Sequence, residues 1–183
     1  MLKRAATRAG FTLIEVLVAV TVLGILAMMA MPTFGEWLQS QQLRSAAEAT
    51  VNGLQVARAE AIRRNLRVQI TFGAPQTGWT VTEQPPGLTF IQGRQHEEGS
   101  PNAVLTATPA GATIVTFTPL GGVTVNSGGS ATVTRLDVTN PSGGACQPAG
   151  AMRCLRIVIS AGGTVRMCDP HPAVVATDPR FCP

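Results

Sequence analysis

One carboxylate stands inside a long apolar run near the start of the chain. Residues 11–31 contain a single charged side chain, Glu15. A helix over this run would span roughly the 30 Å of a bilayer core, at about 1.5 Å of rise per residue. An ionised carboxylate in that environment costs about 2.5–3.5 kcal/mol on insertion scales. We therefore expect Glu15 to need a cationic partner.

Cysteine chemistry is concentrated at the other end of the chain. The four cysteines are Cys146, Cys154, Cys168 and Cys182. An even number in an exported domain indicates two disulfides, for which three pairings exist. Structural zinc is the competing interpretation, but there is no C-x-x-C pair and the spacings are long and irregular. We favour Cys146–Cys154, closing a loop before a strand at Leu155, and Cys168–Cys182, tying down the tail.

Signatures of catalysis are missing from the sequence. The two histidines, His96 and His171, lie in polar or proline-rich segments that are typical of exposed loops. No nucleophile elbow, P-loop, metal-spaced cluster or paired-carboxylate motif is present. We therefore predict that the protein is not an enzyme and needs no cofactor or metal.

The net charge of +4 depends largely on the first ten residues. Lys3, Arg4 and Arg8 are followed by only 11 further arginines and 10 acidic residues. The part of the chain after residue 10 is therefore close to neutral, which argues against strong binding to nucleic acid. Lys and Arg that flank a membrane span stay in the cytoplasm. The chain beyond the apolar run is then expected in the periplasm of a Gram-negative cell.

A long helix should position these groups. Beyond the apolar run, apolar residues recur every three or four positions and form one stripe. The stripe consists of Leu43, Ala47, Val51, Leu54, Ala57 and Ala61. Four arginines share the helix or follow it: Arg58, Arg63, Arg64 and Arg67. They are either solvated, or paired with Glu60, or available to acidic patches on partner subunits. We predict one helix over residues 11–65.

Short β-rich runs separated by turn residues follow the helix. The predicted strands are residues 67–72, 79–82, 88–91, 113–117, 131–138, 155–160 and 163–167, with a polar loop at 92–101. A hairpin turn is expected at residues 161–163. The predicted fold class is α+β: a long N-terminal helix, its first half transmembrane, packed on an antiparallel β-sheet domain.

Two ordinary explanations of the N-terminal segment fit poorly. A secretory signal peptide has a shorter apolar stretch, with the small residue of its cleavage site after that stretch rather than before it. A plain membrane anchor explains the length and the basic flank, but not a carboxylate five residues into the span.

The run Gly10-Phe11-Thr12-Leu13-Ile14-Glu15 resembles the prepilin processing site of type IV pilins and type II secretion pseudopilins. The resemblance implies cleavage between Gly10 and Phe11 by a prepilin peptidase and N-methylation of Phe11. It also implies that Glu15 meets the Phe11 amine of a neighbouring subunit during filament assembly. A pair within one chain, or protonation of Glu15, is the alternative.

Four further stretches resemble the GspH/FimT type of minor pilins and pseudopilins: residues 37–38, 43–48, 57–65 and 162–170. This implies a subunit of a type IV pilus or type II secretion filament, at its tip or in its initiation complex, with other pilins as partners. Some FimT-type proteins bind DNA through a Gly-Arg-x-Arg motif, which is half present here because Thr164 replaces the first arginine. The candidate DNA contacts are Arg153, Arg156, Arg166 and Arg180.

These inferences divide the chain into four parts. Residues 1–10 form the leader, residues 11–31 the transmembrane half of the helix, and residues 32–66 its amphipathic half. Residues 67–183 form a periplasmic β-rich domain with a disulfide-tied tail. The expected location is the inner membrane, with a single pass and a cytoplasmic N-terminus, and then the filament.

Overall fold

The structure, a computed structural model, describes residues 11–84 and 87–182, without the side chains of residues 30–33 and 36. One helix, α1 (Leu13–Arg64), precedes all the strands. The chain divides into two units between Gly35 and Glu36. By length and hydropathy, no helix within the described residues qualifies as a membrane span. The predicted span over residues 11–31 includes two side chains, at 30 and 31, that lie outside the description.

Local signals at both ends explain where α1 begins and ends. Thr12 precedes the helix, and its Oγ1 accepts a hydrogen bond of 3.3 Å from the backbone N–H of Glu15. Thr-x-x-Glu is the sequence of a capping box. At the other end Asn65 has a positive φ of 52°, and Leu66 N donates to Ala61 O. This is a Schellman termination with asparagine in place of glycine.

The described residues also form nine strands. Their bounds are β1 (Val68–Phe72), β2 (Trp79–Glu83), β3 (Phe90–Arg94), β4 (Val104–Thr108), β5 (Ile114–Phe117), β6 (Val123–Thr124), β7 (Arg135–Thr139), β8 (Leu155–Ile159) and β9 (Val165–Cys168). Two antiparallel sheets result, with strand orders β3-β2-β1-β5-β6 and β4-β7-β8-β9. The α+β class with antiparallel sheets is confirmed.

The two sheets and the second part of α1 share one core. Six helix residues that are fully buried belong to the same hydrophobic cluster as residues from strands of both sheets: Leu43, Ala46, Ala47, Leu54, Ala57 and Ala61. The predicted stripe is therefore confirmed, although Val51 is only half-buried. Small side chains on this face let the strands approach the helix closely.

Several predicted strands needed correction. β4 and β6 were not predicted, and the predicted loop at 92–101 contributes Gln92–Arg94 to β3. The predicted strand at 131–138 divides between the sheets: Thr132 bridges Ile114 beside β5, and β7 begins only at Arg135. The predicted hairpin of the last two strands is confirmed by the antiparallel pairing of β8 with β9.

Candidate functional site

The N-terminal candidate site is described from Phe11 onward. Gly10 lies outside the described residues, whereas Phe11 is 84% exposed and immediately precedes the capped start of α1. Glu15 occupies the first turn of the helix, where a negative charge interacts favourably with the helix dipole. It forms no ion pair with any other residue in the described part of the chain.

Apolar side chains over the first turns of α1 are uncovered. Every described residue from Phe11 to Met29 is exposed, and none belongs to the hydrophobic core. Burial of apolar surface is worth about 25 cal/mol per Å², so this segment would gain stability from lipid or from the helices of other chains.

The four C-terminal arginines do not form one site. Arg153 Nε lies 3.2 Å from Asp169 Oδ2, and the guanidinium of Arg180 donates two hydrogen bonds to Asp178. Arg156 Nε lies 2.6 Å from Asp137 Oδ1. These three predicted DNA contacts are thus already paired with carboxylates. Arg166 is exposed, and among the described residues it donates only to the carbonyl of Pro179, at 3.5 Å.

Strand register shows which arginines share a surface. Val158 of β8 is opposite Arg135 on one side and opposite Arg166 on the other. Residues opposite each other in antiparallel strands point to the same face of the sheet. Arg156 and Asp137 form the next row of this face, because strand residues two apart share a side. We call this surface, Arg135, Asp137, Arg156, Val158 and Arg166, the outer face.

The core residues Leu136, Ile157 and Ile159 occupy the opposite side of the same sheet. Arg153 and Arg180 lie outside the three strands that form the outer face. Arg135, which sequence reasoning missed, belongs to it through its pairing with Val158. Only the register could reveal it, since Arg135 and Arg166 are far apart in sequence.

Two disulfides hold the C-terminal region: Cys146–Cys154 and Cys168–Cys182. This is the pairing that we favoured from the sequence. The second bond fastens the tail to the end of β9, and Asp169 N donates to Arg180 O at 2.8 Å. The tail therefore lies along the end of the edge strand β9.

The arginines at the end of α1 form a network with carboxylates. Arg63 and Arg64 both bind Glu60, and Arg64 also bridges to Glu83 of β2 at 2.7 Å. Hydrogen bonds from Arg63 and Arg64 lower the pKa of Glu60 from 4.5 to about 2. Arg58 donates instead to the carbonyl of Gly121. Three of the four arginines thus have partners within the chain, and Arg67 is exposed.

Both histidines lie in loops, as expected, but neither is fully exposed. His96 Nδ1 is 2.8 Å from Glu97 Oε1, and His171 Nδ1 accepts a hydrogen bond from Ala173 N. These local contacts cover part of each ring, which the sequence did not reveal. Neither contact assembles a catalytic arrangement.

Comparison with known proteins gives two family matches. Residues 46–163 match the family described as type II transport protein GspH, and residues 6–31 match the prokaryotic N-terminal methylation motif. No curated protein sequence matches the chain.

Similar solved structures come from two organisms. Two crystal structures of the type IV minor pilin FimU of Pseudomonas aeruginosa are 18% and 19% identical, with TM-scores of 0.47 and 0.49. They cover 68% and 69% of this chain and 90% and 88% of FimU. The minor pseudopilin EpsH of the Vibrio cholerae type 2 secretion system is 16% identical, with a TM-score of 0.49. That match covers 70% of this chain and 98% of EpsH.

Proposed function

The chain belongs to the type II transport protein GspH family, and from that premise we propose that it is a filament subunit processed between Gly10 and Phe11. A prepilin peptidase would remove residues 1–10, and Phe11 would become an N-methylated amino terminus. The match to the N-terminal methylation motif covers this junction and supports the proposal.

Exposure of the apolar segment is the observation on which the assembly proposal rests. From Phe11 to Met29 every apolar side chain is uncovered within the chain. We propose that lipid covers this segment first and that the helices of neighbouring pilins cover it in a type IV pilus or type II secretion filament. The subunit would act at the filament tip or in the initiation complex.

The proposed location follows from charge and from disulfides. The basic residues Lys3, Arg4 and Arg8 would keep the N-terminus in the cytoplasm of an inner-membrane protein with a single pass. Disulfides persist in the oxidising periplasm, in agreement with a periplasmic domain.

Glu15 has two separable roles in this proposal. Its position after Thr12 suits a capping box, which is a local role that glutamine also fills. The intermolecular role needs a charge, because only a carboxylate offsets the ammonium group of a neighbouring Phe11. The variant Glu15→Gln keeps the capping ability and removes the charge.

The test is recovery of the protein in sheared filaments from cells that express wild type, Glu15→Gln or Glu15→Leu. We expect both variants to insert in the membrane and to be cleaved, but to be depleted from filaments. Glu97→Leu removes a carboxylate from an exposed loop and serves as the matched control. Normal recovery of Glu15→Gln with loss of Glu15→Leu would assign only the capping role to Glu15. Normal recovery of both would refute the assembly role.

Binding of DNA by the outer face is the second candidate function. The observation that favours it is the row formed by Arg135, Val158 and Arg166, with Arg156 and Asp137 beside it. Three arginines against one aspartate give this surface a net positive charge, although Arg135 and Arg156 both contact Asp137. Because so few arginines can neutralise only a few phosphates, we expect DNA binding to be weak and sensitive to salt.

Electrophoretic mobility of a DNA fragment with the oxidised protein, across a salt series, tests this candidate. Arg166→Ala is expected to weaken binding and to reduce the salt slope by about 1. Arg67→Ala, an exposed arginine at the end of the helix, is the control. Absence of a mobility shift at low salt would eliminate DNA binding.

A further inference from the structure

A cavity of about 320 Å³ opens beside α1 at the end of the second sheet. Its lining comes from four separate segments of the chain: the helix near Arg44, the start of β8, the end of β9, and the tail at Arg180. Its volume lies at the low end of the range for sites that bind small groups, roughly 300–1,000 Å³. It is therefore suited to a short peptide segment.

Part of the lining of the cavity is apolar. Leu155 and Met167 both line it. Met167 lies opposite Ile157, which is fully buried, so its side chain is on the core side of the sheet. Met167 nevertheless remains 37% exposed, because the core ends before it reaches this position. An apolar side chain entering the cavity would cover it.

Three arginines line the cavity, Arg44, Arg153 and Arg180, and we call them the rim. Arg180 is already bonded to Asp178 through two of its guanidinium nitrogens. Arg44 and Arg153 each use only Nε in an ion pair, with Glu48 at 2.9 Å and with Asp169 at 3.2 Å. Among the described residues, the terminal nitrogens of both guanidinium groups have no hydrogen-bond partner.

A guanidinium carries five N–H donors, so both groups can bind a further carboxylate. The existing pair of Arg44 is exposed on both sides and worth at most about 1 kcal/mol, so it offers little competition. Asp169, the acidic residue in the lining, is 6% exposed and already accepts hydrogen bonds from Arg153 and from His171 N.

The tail completes the site. Cys182 is bonded to Cys168 at the end of β9, and Arg180 O accepts a hydrogen bond from Asp169 N. These links hold Arg180 beside the cavity. The position of Arg180 in the lining therefore depends on the Cys168–Cys182 disulfide.

We propose that this cavity binds a carboxylate flanked by an apolar side chain, from an acidic segment of an adjacent filament subunit. The apolar group would cover Met167 and Leu155, and the carboxylate would bind the terminal nitrogens of Arg44 and Arg153. The inference rests on the proposed function only in assigning the acidic segment to an adjacent filament subunit. Binding itself is a property of the single chain and is tested on it.

The probes are three tripeptides with acetylated N-termini, added at millimolar concentration to the oxidised full-length protein in detergent micelles. The first carries a glutamate side chain beside leucine and has an amidated end. The second ends in leucine with a free terminal carboxylate, and the third has glutamine beside leucine and an amidated end. The readout is the NMR shift of isotope-labelled methionine methyl groups. Met167 reports the cavity, and Met152, which is 1% exposed, serves as the internal reference.

We expect at least one carboxylate peptide to shift the Met167 methyl saturably and to leave the Met152 methyl unchanged. The amidated glutamine peptide should bind about tenfold more weakly, a loss of about 1.4 kcal/mol. A response to only one of the first two peptides identifies the carboxylate as a side-chain or a terminal group. The absence of a saturable shift, or equal binding of the glutamine peptide, would overturn the proposal.

Two rim variants complete the test. Arg44→Gln and Arg153→Lys should each weaken binding severalfold, because each removes terminal guanidinium nitrogens. Lysine at residue 153 keeps a cation beside the buried carboxylate of Asp169. Arg67→Gln removes an exposed arginine outside the cavity and should bind like wild type. Equal affinity in all three variants would refute the role of the rim. Since the measurement needs no filament, its outcome is independent of the assembly experiment with Glu15.

Discussion

At the scale of single residues, Gly53 determines how closely the first sheet approaches the helix. A Cβ atom at this position would lie 2.7 Å from Cε2 of Trp79, whose ring is only 3% exposed. Trp79 pairs with Phe72 across β1 and β2, so its ring cannot move without disturbing the core. Residue 53 must therefore be glycine, because any side chain there would collide with Trp79.

We expect Gly53→Ala to destabilise the protein despite the better helix propensity of alanine. Propensity contributes about 1 kcal/mol in favour of alanine, whereas overpacking costs about 1–3 kcal/mol. Urea unfolding followed by tryptophan fluorescence measures the difference. Gly35→Ala, where a Cβ would meet nothing within 4 Å, is the control and should not destabilise the protein. Equal stability of the two variants would contradict this account of Gly53.

Glu60 should make the protein sensitive to acid. Its pKa in the folded protein is lowered to about 2, because Arg63 and Arg64 donate to its carboxylate. The unfolded chain binds a proton below about pH 4.5, whereas the folded chain resists protonation until about pH 2. The stabilisation is thus complete above pH 4.5 and is lost as the pH falls toward 2.

Thermal unfolding of Glu60→Gln tests this dependence. The variant should be less stable than wild type at neutral pH, and the difference should shrink between about pH 4.5 and pH 2. Glu48→Gln, which removes one partner of an exposed pair on the same helix, is the control and should change little. A pH-independent difference between wild type and Glu60→Gln would contradict the assignment.

At the scale of elements, strand β9 depends on the tail that follows it. The Cys168–Cys182 bond joins residues 14 apart in sequence, whereas Cys146–Cys154 joins residues 8 apart. In the chain-entropy description, a disulfide stabilises by restricting the unfolded chain, and more so for a longer loop. The bond that fastens the tail should therefore contribute more than the other.

We expect the double variant Cys168→Ser/Cys182→Ser to lose about 3 kcal/mol of unfolding free energy. Cys146→Ser/Cys154→Ser should lose somewhat less, and it serves as the comparison because it removes a disulfide that does not fasten the tail. Urea unfolding of the oxidised proteins measures both losses. A larger loss in the second variant would contradict the entropic explanation.

At the scale of the whole molecule, the core belongs to one of the two units. Every residue of the hydrophobic core lies between Leu43 and Ile159, within the unit that begins at Glu36. The described apolar residues up to Met29 add nothing to that core. The β domain should therefore fold without the N-terminal segment.

A fragment of residues 36–183 tests this independence. We expect it to be soluble when oxidised and to unfold cooperatively in urea, with a midpoint close to that of the full chain in detergent. Circular dichroism and tryptophan fluorescence should give coincident transitions. A fragment without a cooperative transition would show that the N-terminal segment is needed for folding.

Much of the fold followed from signals that lie close together in sequence. The helix was predicted to within two residues at its start and one at its end, and its buried stripe followed from the spacing of Leu43, Leu54 and Ala61. A helical period repeats within a few residues, so short windows contain the information. The same holds for the hairpin of β8 and β9.

Strands that rely on distant partners escaped prediction. β4 has ordinary composition and is defined by its pairing with β7, and β6 is two residues long. The run from Ala131 was predicted as one strand because its residues look alike. Its division between the sheets depends on contacts with Ile114 and Thr108, which no local pattern encodes.

The sequence by itself determined the long N-terminal helix, the methylation motif around Phe11, the α+β class and the chemistry available to four cysteines. Each of these is a property of neighbouring residues or of composition. Only the tertiary structure decided that Arg135 and Arg166 share a face while Arg153 and Arg180 border a separate cavity. The reason is physical: strand register and a disulfide bring together residues that are far apart in the chain. The sequence alone does not show which of these distant residues will be close in space.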